Sequence, residues 1–188
     1  MNLIVSDFDG TFFDDNYDKN IEFIDSCRDK NNFVIATGRN FNYLKTDLKT
    51  NCDYYICNDG GYILDSKENV IYKNIIDSKT VNEIYSRILK LNYKEYYFDN
   101  ITSATKVPTD NIDKIFIKLE DLNKVDDDIK YLLDGLDDVY AYQSLHWINI
   151  MSVNSNKDKA IDYLAEHNEF NNIYVIGNDI NDYDMIKK

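Results

Sequence analysis

The chain has 188 residues, 44% apolar and 29% charged, with a formal net charge of −13. That is enough material to bury a core without disulfides or a structural metal. The acidic balance argues against a nucleic-acid binder or a protein docked on anionic membranes, since both need a basic surface. It leaves room for a small phosphorylated ligand, because a metal ion can supply local positive charge.

The first predicted element is the apolar run Leu3-Ile4-Val5, a short strand ending in an acidic loop. Ile21, Phe23, Ile24 and Cys27 predict a helix over roughly 18–31, and Phe33-Val34-Ile35-Ala36 a second buried strand. Phe41, Leu44 and Leu48 predict a second helix, and Tyr54-Tyr55-Ile56-Cys57 a third strand. This alternation argues for a parallel α/β sheet.

Residues 61–73 read as a hairpin turning at Ser66-Lys67-Glu68-Asn69. The pattern then changes to αββαββ. A helix through Val81, Ile84, Tyr85 and Ile88 precedes strands at Tyr96-Tyr97-Phe98 and Ile115-Phe116-Ile117. A helix through Val125, Ile129, Leu132 and Leu133 precedes strands near 138–143 and 146–151. This block predicts an inserted α+β domain over 77–152, with residues 1–76 and 153–188 forming the α/β domain. The α/β pattern resumes with a helix over roughly 156–167 and a fourth buried strand, Ile173-Tyr174-Val175-Ile176. No apolar run exceeds four residues, so neither a transmembrane helix nor a signal-peptide core is predicted. Cys27, Cys52 and Cys57 contain no CxxC pair, which fits a reduced cytoplasm. Two histidines, His146 and His167, argue against a His-rich zinc site.

Four polar clusters follow strands or open a helix in the α/β part, where open parallel sheets bind ligands. In Asp7-Phe8-Asp9-Gly10-Thr11, one carboxylate can attack phosphorus and the other can carry a proton. Together they also suit a hard cation such as Mg²⁺. The plain alternative is an acidic turn. In Thr37-Gly38-Arg39, a hydroxyl and backbone N–H groups can hold a phosphoryl oxygen, while a helix N-cap by Thr37 or Asn40 is the alternative. Lys157 can neutralise a carboxylate and a phosphate; alone, it reads as a solvated surface lysine. Gly177-Asn178-Asp179-Ile180-Asn181-Asp182 can complete a magnesium site or simply form an Asx-rich turn and helix cap. Their order on successive strand ends makes the set specific.

The set resembles the haloacid dehalogenase superfamily of phosphohydrolases, and in particular its Cof-type sugar-phosphatase branch. The matching segments are Asp7 to Thr11, Thr37 to Arg39, Lys157-Asp158-Lys159-Ala160-Ile161, Gly177 to Asp182 and Asp184-Met185-Ile186. Asn58 and Gly60-Gly61 resemble the branch's strand-end Asn-Gly. The resemblance implies a Rossmann-like core with an inserted cap. It also implies a Mg²⁺-dependent phosphatase acting on a small phosphorylated metabolite, a sugar phosphate being one such substrate. Asp7 is then the nucleophile and a metal ligand. Asp9 is the general acid/base and gives the metal its carbonyl. Thr37 binds the transferring phosphoryl group, and Lys157 steadies Asp7. Gly38, Arg39, Asn58 and Asn181 are expected around the substrate. Asn178, Asp179 and Asp182 are expected around the metal. On the cap, His146, Trp147 and Asn149 are candidate substrate contacts, with sheet packing or exposure an equal alternative. Tyr96-Tyr97-Phe98 reads as core, and Asp126-Asp127-Asp128 as a solvated helix start.

Three departures qualify the resemblance. Asn178 stands where the family has an aspartate, Asp158 stands where glycine is usual, and the chain stops at Lys188, where relatives continue with another strand and helix. The last departure predicts a short member or a truncated product, with an exposed sheet edge. The rival readings are a catalytically weak or inactive member that binds a phosphorylated ligand or a protein partner, and a phosphomutase.

Overall fold

A computed structural model describes residues 1–187. In chain order the strands and helices are β1 (Asn2–Asp7), α1 (Tyr17–Cys27), β2 (Asn31–Ala36), α2 (Phe41–Asp47), β3 (Tyr54–Cys57), β4 (Tyr62–Asp65) and β5 (Val70–Lys73). Then come α3 (Ser78–Leu91), β6 (Tyr96–Asp99), β7 (Ala104–Thr105), β8 (Lys114–Lys118), α4 (Val125–Leu133), β9 (Val139–Ser144) and β10 (Trp147–Ser152). The last are α5 (Lys157–His167), β11 (Ile173–Ile176) and α6 (Tyr183–Lys187). The chain divides into two compact units, Met1–Lys73 with Ser155–Lys188, and Asn74–Asn154. No helix among the described residues is long and apolar enough to cross a membrane.

The first unit is built on a six-stranded sheet of order β11-β1-β2-β3-β4-β5. β11, β1, β2 and β3 run parallel, and the β4–β5 hairpin is antiparallel. This is the α/β class that alternating apolar runs predict. Side chains of period two separate the faces. Leu3, Val5, Val34, Ala36 and Ile56 meet Ala160, Ile161 and Leu164 of α5 and Met185 of α6. The opposite side is aromatic: Phe12 packs on Phe33 at 5.0 Å and edge-on to Tyr17 at 5.6 Å, while Phe41 meets Tyr55 at 5.0 Å.

The fourth parallel strand is not buried as expected. β11 pairs only with β1 among the described residues, and Ile173, Tyr174 and Ile176 are exposed. An edge position explains this: the strand has a sheet neighbour on one side only. The helix predicted over 18–31 also ends early, at Cys27, and one 3₁₀ turn (Arg28–Lys30) leads into β2.

The second unit has an antiparallel sheet of order β7-β6-β8-β10-β9. Ile84 and Ile88 of α3 and Leu132 of α4 bury Phe98, Ile115, Ile117, Ile148 and Ile150 on one face. Asp77 caps α3, and Asn92 ends it in the left-handed region at φ 58°. Tyr96 and Phe98 join this core as read from the sequence. Tyr97 points to the other face, stacking on Phe116 at 5.1 Å, with Trp147 packed edge-on to Phe116 at 5.5 Å. The two-residue strand β7 carries no apolar pattern that sequence reading could detect.

Candidate active site

Register brings the polar clusters of the first unit to one edge. Asp7, the last residue of β1, pairs with Ala36, so it lies beside the strand end that leads into Thr37. Thr37 N–H donates to Ile56 O at 2.8 Å, joining the ends of β2 and β3. Ser6 pairs with Ile176 on its other side, immediately before Gly177. These are the carboxyl ends of parallel strands.

Lys157 is the first residue of α5, placed there by Asn156, whose side chain caps the helix by accepting from Lys159 N–H. A Cβ at Gly60 would lie 2.2 Å from the Asn156 carbonyl, and Gly60 sits at φ +92°. Glycine at position 60 therefore allows the β3 loop to close on the start of α5. Lys157 is only 1% exposed. Its Nζ donates to Asp7 Oδ1 at 2.6 Å and to Asp182 Oδ1 at 2.7 Å. Asp182 is fully buried, and its Oδ2 accepts the N–H groups of Asn178 and Asp179 at 2.9 and 3.0 Å.

Asp59 is a further buried carboxylate at this edge, which the sequence reading passed over. It occupies the left-handed region at φ 54°, and its Oδ1 accepts from Asn181 Nδ2 at 2.7 Å. The signal was present: an acidic residue just past the third strand, at the same sheet edge as the other clusters. Burial pushes the Asp7 carboxyl above its ordinary value, against the pull of Lys157. Burial works to lower Lys157, but Asp7, Asp59 and Asp182 outweigh it, so the lysine stays an ammonium. One ammonium among three carboxylates leaves this buried site net negative.

The mouth of the site is more open. Asp9 has half its side chain exposed, at 51%. Arg39 Nε donates to Asp9 Oδ2 at 2.8 Å, and Nη2 donates to Oδ1, a two-pronged pair. Arg39 Nη1 reaches Asp47 Oδ2 at 2.6 Å, and the guanidinium lies 5.0 Å from the centre of the Phe8 ring. Asn178 Nδ2 donates to Gly10 O at 3.1 Å, a close approach made possible by Gly10 at φ +75°.

The structure thus joins Asp7, Lys157 and Asp182 directly, and Asn181 to Asp59. Thr37 is buried, and its hydroxyl accepts from Arg39 N–H at 3.1 Å. It is not the cap of α2; Asn40 is, accepting from Asn42 N–H. Gly38 packs against Asp59, and the fully buried Asn58 donates its backbone N–H to Arg39 O. Two placements bear on the site residues read from the sequence. Lys157 is a buried cluster member, not the solvated lysine that its helix position alone suggests, because facing carboxylates offset its desolvation. Arg39, expected among substrate contacts, has its guanidinium on Asp9 and Asp47.

The donor set bears on a cation. Among the described residues no group of three or more His, Cys, Asp or Glu side chains is arranged to hold a metal ion. Asp179, expected as a ligand, instead caps the following turn by accepting from Ile180 N–H. A hard cation such as Mg²⁺ needs few protein carboxylates and takes water and substrate phosphate for the rest. Net negative charge and oxygen donors at Asp7 and Asn178 fit that requirement.

A family model described as haloacid dehalogenase-like hydrolase matches residues 4–103 and 87–188. A protein of Mycoplasma capricolum subsp. capricolum is 29% identical over 154 residues, 70% of this chain. The chain spans 55% of that relative's length. A Haemophilus influenzae protein, provisionally named a phosphatase, is 26% identical over 99% of this chain and 83% of its own length. Among solved structures, a haloacid dehalogenase-like hydrolase from B. subtilis superposes with a TM-score of 0.86 at 17% identity, covering 100% of this chain and 86% of that one. A sugar phosphatase of HAD subclass IIB superposes with a TM-score of 0.74 at 17% identity, covering 98% and 84%. With its core sheet, its inserted unit and the matches spanning the chain, the protein belongs to the haloacid dehalogenase-like hydrolase family.

Proposed function

We propose that this protein is a magnesium-dependent phosphatase that hydrolyses a small phosphorylated metabolite, a sugar phosphate being the first class to test. The observation that carries this reading is the buried bridge of Lys157 to Asp7 and Asp182 at the parallel strand ends. A lysine so held keeps a carboxylate at the mouth of β1 oriented and ionised for attack. With Oδ1 on Lys157, Asp7 Oδ2 forms the bond to phosphorus. The bond to the leaving oxygen breaks, and that oxygen departs with the electron pair and takes a proton from Asp9. Asp9, now a carboxylate, accepts a proton from water as the water oxygen attacks the phosphorus. That attack frees Asp7 and inorganic phosphate. Thr37 steadies the phosphoryl oxygens, and Lys157 offsets their charge.

The magnesium ion would be held by Asp7, the Asp9 main-chain carbonyl and the Asn178 amide oxygen, with Asp182 anchoring the loop. When bound, it would neutralise phosphoryl charge. Free cysteines, two of them buried, support a cytoplasmic setting.

The test is phosphate release from a panel of phosphorylated metabolites, with and without Mg²⁺, beside Asp7→Asn. Magnesium-dependent release by the wild type is expected, with none by the variant. The variant should still unfold cooperatively, because Asp182 and Asp59 remain to balance Lys157. Full activity in Asp7→Asn would refute the assignment. Asn178, which brings no charge, favours one second reading, a weak or inactive phosphate-binding member. That reading requires no turnover and no stabilisation by magnesium.

A further inference from the structure

We infer that Arg39 is a positioning residue for Asp9, not a ligand of the substrate phosphate. The inference rests on the phosphatase reading for Asp9's role, and on geometry for its own. To bind phosphate through its guanidinium fork, Arg39 would have to give up contacts to two carboxylates. Here Nε and Nη2 both donate to Asp9, and Nη1 donates to Asp47. The guanidinium is further fixed over Phe8 at 5.0 Å and near Phe13 at 5.9 Å, two rings stacked 5.1 Å apart and nearly parallel. Asp47 is itself tethered, since Tyr17 Oη donates to its main-chain carbonyl at 3.0 Å. A chain of contacts therefore runs from Tyr17 through Asp47 and Arg39 to a half-exposed carboxylate that otherwise has rotamer freedom. A planar fork that grips both carboxylate oxygens fixes the ring-like pair in orientation as well as place, which a lysine cannot do.

Position matters at the first step: Asp9, protonated from the solvent to which half its side chain is open, gives that proton to the leaving oxygen as its bond to phosphorus breaks, while Arg39 holds the carboxyl through the oxygen that carries no proton. A leaving group that is stable as an anion needs that proton little; a poor one needs it much. The test is kcat/KM of the wild type, Arg39→Lys, Arg39→Met and Asp47→Asn with p-nitrophenyl phosphate and with phenyl phosphate. It is joined by calorimetric titration of each protein with inorganic phosphate and by its thermal unfolding. In both Arg39 variants the value for phenyl phosphate is expected to fall by about tenfold or more. The value for p-nitrophenyl phosphate falls less than about threefold. Asp47→Asn, which does not touch Asp9, shows the same pattern weakened. Phosphate affinity stays within about twofold of wild type in all of them, and all unfold cooperatively.

Equal falls for both leaving groups, activity that is unchanged or raised, or a tenfold loss of phosphate affinity in Arg39→Met would each overturn the inference. If the wild type releases phosphate from neither compound, the phosphatase reading fails separately. The titration then decides Arg39 alone: affinity kept upholds its assignment away from the ligand, and affinity lost refutes it.

Discussion

The two acidic residues of the first loop, Asp7 and Asp9, stand two positions apart in sequence and in opposite physical settings. Asp7 is 6% exposed and held by a lysine that is itself buried. Asp9 is half exposed and held by an arginine that is itself only partly buried. Strand alternation does not separate them, since both are spaced by two. The difference arises because β1 ends at Asp7 and the chain turns outward through Gly10. A buried charge pair is expensive to break, because removing one member strands the other away from water. An exposed pair gains little stability and serves geometry. The inner set should therefore couple stability to function, while the mouth should affect function alone.

The strongest way to break that contrast is Lys157→Met. It leaves Asp7 and Asp182 facing each other without a cation, so a loss of ~3–5 kcal/mol is expected in urea unfolding, together with loss of turnover. The pH dependence has a defined sign. The Asp7 carboxyl is already raised in the fold by burial. Its contribution is therefore full below about 3.8 and is lost as pH rises through the folded value. Removing the lysine's pull raises it further, so the variant should regain stability relative to wild type on acidification. A variant as stable as wild type at neutral pH would remove the distinction between the two settings.

Next in size is Gly60→Ala, which touches no charge. The added methyl meets the Asn156 carbonyl, and alanine is strained at φ +92°. A loss of about 1–3 kcal/mol is expected. Activity should fall further than Thermofluor midpoints suggest, because Asn156 places Lys157. Asn178→Asp sharpens the comparison from the outside. It exchanges the donor to Gly10 O for a second acceptor, costing ~1 kcal/mol without metal. Magnesium should bind several-fold more tightly by calorimetry, because a charge is added to the oxygen donors. The smallest effect belongs to Lys45→Ala. Its partner Glu68 and Lys45 itself are both about half exposed, so the change should stay below ~1 kcal/mol. An effect as large as that of Lys157→Met would show that exposure does not govern the worth of these pairs.

The alternating apolar runs that end at Asp7, Ala36 and Cys57 were enough to read the parallel sheet, since a buried strand needs a continuous apolar segment. The shift to helix, paired strands, helix and paired strands was likewise legible, because α3 and α4 carry apolar stripes at helical spacing. What stayed hidden were features made by neighbours. Exposure of β11 depends on its having one sheet partner, which its own Ile-Tyr-Val-Ile run cannot reveal. Asp59, between Asn58 and Gly60, carries no local sign of burial; it is 2% exposed where its loop closes on Asn156. Arg39 sits in the predicted loop, but its partner Asp47 lies eight residues on, at the far end of α2.

The sequence alone thus determined the class of fold, the order of its elements and the strand-end loops that carry carboxylates, lysine and threonine. Those properties follow from local periodicity and residue chemistry. Tertiary structure alone decided which charges are buried and which partner each takes. Lys157 lies 150 residues from Asp7 and 25 from Asp182. Only the parallel register of β11, β1 and β2, together with the glycine contact at the start of α5, brings them within hydrogen-bonding distance. The electrostatics of the site depend on distances and desolvation, and neither is defined until the chain has folded.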